Sequence, residues 1–296
     1  MRVLILGASG LIGGNLLRLL NEENGYEAVG TYFSYQAKGT VKYNTLDPED
    51  SGNFDVKSFQ ADVIVHCGAL TWVDYCEGNR EESFQKTVQS TVNALDLART
   101  YNARFVFIST DYVFDGVEGP YREKDEVNAI SVYGSHKLEA EKEVVTSGLD
   151  YLILRVTNVY GDEERGKNFI ARLAQKAMDG AVENMAFPYD QYATPINAWD
   201  VARVTEVLMS DGKTGLYHLA STDYLNRYQL AMRVLSHFQR HNIAVRPIST
   251  SELAQAARRP LNGGLIASKF IAEYPDFVFS NVDDYVQALI DRNKQE

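Results

Sequence analysis

With 296 residues, 45% hydrophobic and 23% charged, the chain is long enough for one large α/β domain, or for a domain and a smaller partner, and can bury a sizeable core. A formal net charge of −11 argues against non-specific nucleic-acid binding and against anionic membrane surfaces, although a local cluster of cations can still hold an anionic small molecule. Two cysteines outside any CxxC or metal-ligand spacing read as free thiols in a reduced, cytoplasmic setting, and no apolar run approaches the ~20 residues that span a bilayer.

Taken in order, Met1 leads straight into the apolar run RVLILG (2–7), with no leader pattern, and a helical pattern follows over Leu11–Leu20. Further apolar runs are EAVGTY (27–32), ADVIVHCG (61–68), ARFVFIST (103–110) and DYLILRV (150–156), with a shorter strand expected at KYNTL (42–46). A long helical stretch runs from Arg80 to Tyr101. Near-continuous apolar strands alternating with helices predict an α/β fold, a doubly wound Rossmann-type parallel sheet covered on both faces. After Val156 the rhythm loosens. Helices are expected over 168–178, 198–209 and 224–238, a strand over 215–220, and short helices and loops to the end. The boundaries predicted are a main domain over 1–156, with 197–220 returning to it, and a smaller C-terminal substrate-binding lobe from 157–196 and 221–296.

GASGLIG sets Gly7, Gly10 and Gly13 directly after the first strand and at the opening of the first helix. Such glycines allow a tight turn, close approach of backbone to a pyrophosphate, and helix-to-strand packing, while the helix N-terminus offers free N–H groups. The loop, with Ser9, Leu11 and Ile12 between the glycines, makes the main domain a candidate NAD(P)-binding domain. At the end of the second strand the chain reads Thr31, Tyr32, Phe33, Ser34, with no carboxylate to repel an adenosine 2′-phosphate; Thr31, Ser34 and Lys38 can accept one. NADP(H) is therefore favoured over NAD(H). Asp47 suits a contact to the adenine amino group.

SVYGSHKLEAEK places Tyr133 and Lys137 four residues apart in a helical stretch, one turn apart on one face. An ammonium near a phenol is expected to lower the tyrosine pKa, so that Tyr133 exchanges a proton with a substrate oxygen as hydride reaches or leaves the adjoining carbon. FIST ends at the carboxyl edge of the sheet, where ligands bind in open α/β folds, and supplies a third hydroxyl. Thr110 is the first choice and Ser109 the alternative. Neither the five scattered histidines nor the carboxylates of WVDYCEGNREE (72–82) form a metal-ligand pattern, so no metal is expected.

Together these residues resemble an extended short-chain dehydrogenase/reductase, and more narrowly the dTDP-4-dehydrorhamnose reductase (RmlD-like) family. The matching segments are HCGALTWVDYCE (66–77), STDYVFDG (109–116), VYGSHK (132–137), LRVTNVYG (154–161), DQYATP (190–195), GLYHL (215–219) and ARRPLNGGL (257–265). The resemblance implies NAD(P)H-dependent reduction of the 4-keto group of a nucleotide-linked 6-deoxysugar, with Thr110, Tyr133 and Lys137 as the catalytic set. It implies that Cys67, Gly68, Ala69 and Thr71 line the cofactor, and that Val113, Phe114, Gln191 and Arg259 face the sugar nucleotide. Arg258 or Arg259 would form a fork on phosphate. Three positions depart from the family pattern: Asn158 stands for a Trp that encloses the sugar, Thr87 for an Asn, and Gly263 for a Ser.

Two other readings stay open. A nucleotide-sugar epimerase or dehydratase with bound NAD would need an extra acid or base, and Asp111 is the candidate, either a loop-fixing carboxylate or part of another reaction. A non-catalytic module resembling the regulatory subunit of methionine adenosyltransferase shares the same fold. Acidic surface helices fit a homodimer or a monomer equally.

Overall fold

The computed structural model describes residues 1–50 and 52–294. The chain runs β1 (Arg2–Leu6), α1 (Leu11–Glu22), β2 (Glu27–Tyr32), β3 (Thr40–Lys42), α2 (Val56–Phe59), β4 (Val63–His66), α3 (Val73–Gly78) and α4 (Arg80–Phe84). A π-helical turn over Gln85–Gln89 joins α4 to α5 (Ser90–Tyr101), followed by β5 (Arg104–Thr110), α6 (Val132–Thr146) and β6 (Tyr151–Val156). Among the described residues, seven strands form one parallel sheet in the order β3-β2-β1-β4-β5-β6-β9, where β9 is Gly215–Leu219. The strand order reverses between β1 and β4, the switch point at which open sheets of this kind bind ligands.

Alternation along each strand sends side chains to two cores. Val3, Ile5, Val63, Val65, Val106, Ile108, Leu152 and Leu154 join the α1 side, where α8 (Ala198–Ser210) also packs. Leu4, Leu6, Ile64, Phe105, Phe107 and Ile153 join the α5 and α6 side. Both faces are covered, which is why these strands are apolar at almost every position. The sheet thus extends beyond residue 156, because β9 pairs with β6 and α8 lies on α1.

A separate core gathers much of the remaining chain. It comprises α7 (Phe169–Met178), β7 (Val182–Pro188), α9 (Arg227–Leu235), β11 (Asn242–Ile248) and α11 (Val282–Asn293), around Leu173, Leu230, Val234 and Val286. Here β7 and β11 pair in parallel, while the short strands β8 (Tyr192–Ala193) and β10 (Leu225–Asn226) pair antiparallel. A short helix, α10 (Ser268–Glu273), packs beside β9.

Several expected elements shift. The strand placed at 42–46 ends at Lys42, because Asn44 accepts the Leu46 N–H with its own side chain at 3.0 Å and turns the chain. The helix expected from 224 begins at Arg227, where Asn226 and Gln229 form a reciprocal cap. The end of the chain holds the twelve-residue α11 rather than short helices alone, and β7 and β11 were not foreseen. Residues 295 and 296 of the expected lobe lie outside the described residues.

Candidate active site

The turn from β1 into α1 is built on glycine. Gly7 takes φ +89°, and a Cβ on Gly13 would stand 2.7 Å from the Gly7 carbonyl oxygen. Loop and helix therefore approach at a distance that only glycine permits, leaving backbone N–H groups open at the helix start. Gly7, Ser9, Gly10, Leu11, Ile12 and Gly13 line a cleft of about 800 Å³ across the carboxyl ends of the strands. The same cleft is lined by Thr31, by Cys67, Gly68, Ala69 and Thr71 after β4, and by Thr110, Tyr133 and Lys137. A glycine cradle beside an elongated cleft of this volume fits a dinucleotide.

Two expected cofactor contacts fall outside the cleft. Tyr32 uses its carbonyl to accept the Tyr43 N–H and is not on the lining. Asp47 is exposed; Asn44, Thr45 and Leu46 reach the cleft in its place, because the Asn44 turn comes before it.

At the catalytic end, Ser131 caps α6 by accepting the Gly134 N–H at 3.2 Å, and this sets Tyr133 and Lys137 in the first two turns. Gly134 is required by contact: a Cβ there would lie 2.2 Å from the Tyr112 carbonyl oxygen. The helix start thus presses on the backbone just beyond Thr110, and the rings of Tyr112 and Tyr133 meet edge to face at 5.6 Å. The two hydroxyls of FIST part company. Ser109 donates to Glu141 at 2.5 Å, and that carboxylate is held by Arg155 at 2.6 and 2.9 Å. Thr110 accepts the Tyr112 N–H at 3.2 Å and remains beside the Tyr133 phenol.

Electrostatics differ from the expectation. Burial pushes the Tyr133 phenol above its ordinary value, only partly offset by the Thr110 hydroxyl. Lys137 donates to the Ile108 carbonyl at 2.6 Å and sits 3.8 Å from the centre of the Phe107 ring, and burial pushes it down to about 7 despite nearby Glu141. The ammonium does not overcome that rise at Tyr133, its own charge being desolvated and directed at a carbonyl. A phenol that holds its proton at neutral pH is suited to donate one.

The substrate end departs most from the sequence reading. Val113 and Phe114 have no exposed surface. Phe114 stacks on Tyr121 at 4.2 Å and lies under the Arg155 guanidinium, so both residues are core rather than ligand contacts. Gln191 lies off the cleft and bonds Thr250 and Gln255. Arg259 donates to Asp74 at 2.6 Å, and the same carboxylate accepts the Ala257 N–H, so the pair anchors the ARRP segment; Arg259 is not on the cleft lining. Asn158 does line the cleft. It accepts from Arg227 at 2.8 Å, a cleft-lining arginine that sequence reasoning missed because it comes from a helix start 69 residues away. Asp111 is buried and holds Thr157 at 2.7 Å and the Gly264 N–H at 3.2 Å, the contacts of a loop-fixing carboxylate.

Comparison with known proteins follows the same lines. The family described as RmlD substrate binding domain matches residues 1–293. The chain belongs to the RmlD substrate binding domain family. Methionine adenosyltransferase 2 subunit beta from Bos taurus is 30% identical over 273 residues, covering 90% of this chain and 81% of that protein. The dTDP-4-dehydrorhamnose reductase of Clostridium acetobutylicum has the same fold at a TM-score of 0.82 and 26% identity, covering 99% of this chain and all of that one (100%). The Bacillus anthracis dTDP-4-dehydrorhamnose reductase in complex with NADP shares the fold alone, at a TM-score of 0.83 and 24% identity, covering 98% of this chain and 99% of that one.

Against the RmlD family pattern, the three departures have visible settings. Asn158 adopts φ +40°, a left-handed conformation that Asn takes up more readily than a bulky residue. Thr87 lies in the π-helical turn and accepts the Leu70 N–H at 3.4 Å, steadying the loop after β4. A Cβ on Gly263 would lie 3.1 Å from the Tyr192 carbonyl oxygen and 3.2 Å from Asp111, so a larger residue would push on the loop beside the active site.

Proposed function

We propose that this RmlD-family chain is an NAD(P)H-dependent reductase of a keto group on a nucleotide-linked sugar, most nearly a 4-keto-6-deoxyhexose, with NADP(H) the preferred cofactor. The observation that carries this reading is the convergence of Thr110, Tyr133 and Lys137 on the cleft that the glycine loop opens. A bound nicotinamide nucleotide supplies hydride in such a site. The glycine loop and α1 N-terminus would hold the pyrophosphate, with Cys67–Ala69 beside it. Tyr133 gives its proton to the carbonyl oxygen, and Thr110 donates a hydrogen bond to that oxygen. Lys137 would bind a ribose hydroxyl through its ammonium, and the Tyr133 phenolate left by the transfer takes a proton back from solvent. Arg227, half-buried and hydrogen-bonded among the described residues to Asn158 alone, offers its remaining donors to the anionic part of a sugar nucleotide. The locked Asp111 favours reduction over the acid–base chemistry of a dehydratase.

NADPH oxidation measured across dTDP-, UDP- and GDP-linked keto-sugars, with NADH alongside, tests the reading. Turnover with at least one of these sugars is expected; no oxidation with any of them contradicts it. The 30% identity to methionine adenosyltransferase 2 subunit beta favours one second reading, a regulatory subunit. Stoichiometric recovery of a methionine adenosyltransferase with the chain, together with silence on the whole keto-sugar panel, would decide for it.

A further inference from the structure

Of the three residues that the sequence offers for an adenosine 2′-phosphate at the end of β2, Ser34 lines the cleft, while Thr31 and Lys38 present it no free side-chain donor. Thr31 is buried, and its hydroxyl is spent on the Ile5 carbonyl at 3.3 Å while accepting the Gly7 N–H at 3.4 Å. Lys38 is off the lining, and its backbone N–H goes to both Glu164 oxygens at 3.1 Å. What does reach this end of the cleft is a cation from far along the chain. Arg165 lines the cleft together with Phe33 and Ser34, and its guanidinium carbon sits 5.3 Å from the centre of the Tyr35 ring. Lys86, on the π-helical turn, lines the same region 5.9 Å from the centre of the Phe33 ring, with its ammonium paired to Glu82 at 2.5 Å and two donors left over.

Arg165 is presented by a strap, residues 161–167, that is fastened at both ends. The Asp162 carboxylate is gripped by Tyr285 at 2.9 Å and by Arg292 at 2.7 and 2.8 Å, and its carbonyl accepts from Asn15 at 2.9 Å. Glu164 ties the strap to the loop after β2 through the Lys38 N–H. Glu163 also lines the cleft, with its carboxylate occupied by the Lys167 N–H at 2.7 Å. Arg165 itself makes no ion pair or hydrogen bond among the described residues, so its planar fork of donors is available beside a strand end that has no carboxylate.

We infer that Arg165, assisted by Lys86, reads the 2′-phosphate of NADP(H) and sets the preference over NAD(H). The inference rests on the nicotinamide-cofactor reading above and adds the residue that confers the choice. A guanidinium stacked on an aromatic ring and free to fork onto phosphate is the group that separates the two nucleotides. An Asp or Glu at the β2 end would do the opposite.

Calorimetric titration of wild type, Arg165→Ala, Arg165→Lys and Lys86→Ala with NADPH, NADH, 2′,5′-ADP and ADP tests it. Arg165→Ala should weaken NADPH and 2′,5′-ADP about ten- to a hundredfold and change NADH and ADP by less than about twofold. Arg165→Lys should recover part of the loss, and Lys86→Ala should show a smaller loss of the same selectivity. Equal weakening of phosphorylated and unphosphorylated nucleotides in Arg165→Ala, or no change in either, overturns the assignment while leaving the cofactor reading intact. Wild type binding neither NADPH nor NADH would overturn the cofactor reading and this inference with it.

Discussion

Lys137 shows how one side chain carries opposing demands. Burial holds its pKa near 7 rather than the ordinary 10.5, so the folded protein binds this proton less tightly than the unfolded chain does. The sign follows: the cost of burying the ammonium is fully present below about pH 7, falls as pH rises from 7 to 10.5, and vanishes above. Lys137→Met should therefore raise the thermal midpoint of the ligand-free protein by about 2–5 °C at pH 6, with the gain shrinking toward pH 10, while abolishing turnover. A destabilised Lys137→Met at pH 6 would contradict the assigned burial. At this scale Tyr133, Lys137 and the glycines were legible, because local spacing on a strand-to-helix turn specifies them. Ser109 against Thr110 was not, since only tertiary structure brings Glu141 and Arg155 to one hydroxyl and leaves the other on the cleft lining, where it bonds only its chain neighbours Asp111 and Tyr112 among the described residues. Val113 and Phe114 were misplaced for the same reason. Apolar residues beside a candidate catalytic hydroxyl look like ligand contacts until Phe114 is seen between Tyr121 and Arg155, and Val113 in the same core cluster.

Elements deliver those side chains through close backbone contacts. The start of α6 meets the Tyr112 carbonyl at a distance that leaves no room for a methyl group, so Gly134→Ala should lever the helix away from Thr110. The expected cost is about 1–3 kcal/mol of stability and at least a tenfold loss of turnover, read by urea denaturation and steady-state kinetics. Unchanged values in both would remove the contact from the account. The parallel sheet was readable because strands buried on both faces are apolar at nearly every position. By contrast, β7 and β11 form a small two-stranded sheet with mixed polar and apolar positions, which a sequence pattern does not separate from loop.

Across the whole molecule, an ion pair lies under the candidate active site. Arg155 and Glu141 are 5% and 6% exposed, and their network reaches Ser109 on β5, α6, β6 and His218 on β9. Glu141→Ala leaves a buried guanidinium without its partner and should cost about 3–5 kcal/mol, measurable as a lowered urea midpoint. Loss of under 1 kcal/mol would mean that the sheet does not depend on the pair. The same rigid network positions Thr110, Tyr133 and Lys137 for the chemistry assigned to them. The central claim, that Tyr133 is the proton donor of a reductase, is tested most directly by Tyr133→Phe. With a keto-sugar that wild type turns over, kcat should fall about 10²- to 10⁴-fold, while the dissociation constant for NADPH stays within about threefold. Near-wild-type turnover in Tyr133→Phe would contradict it.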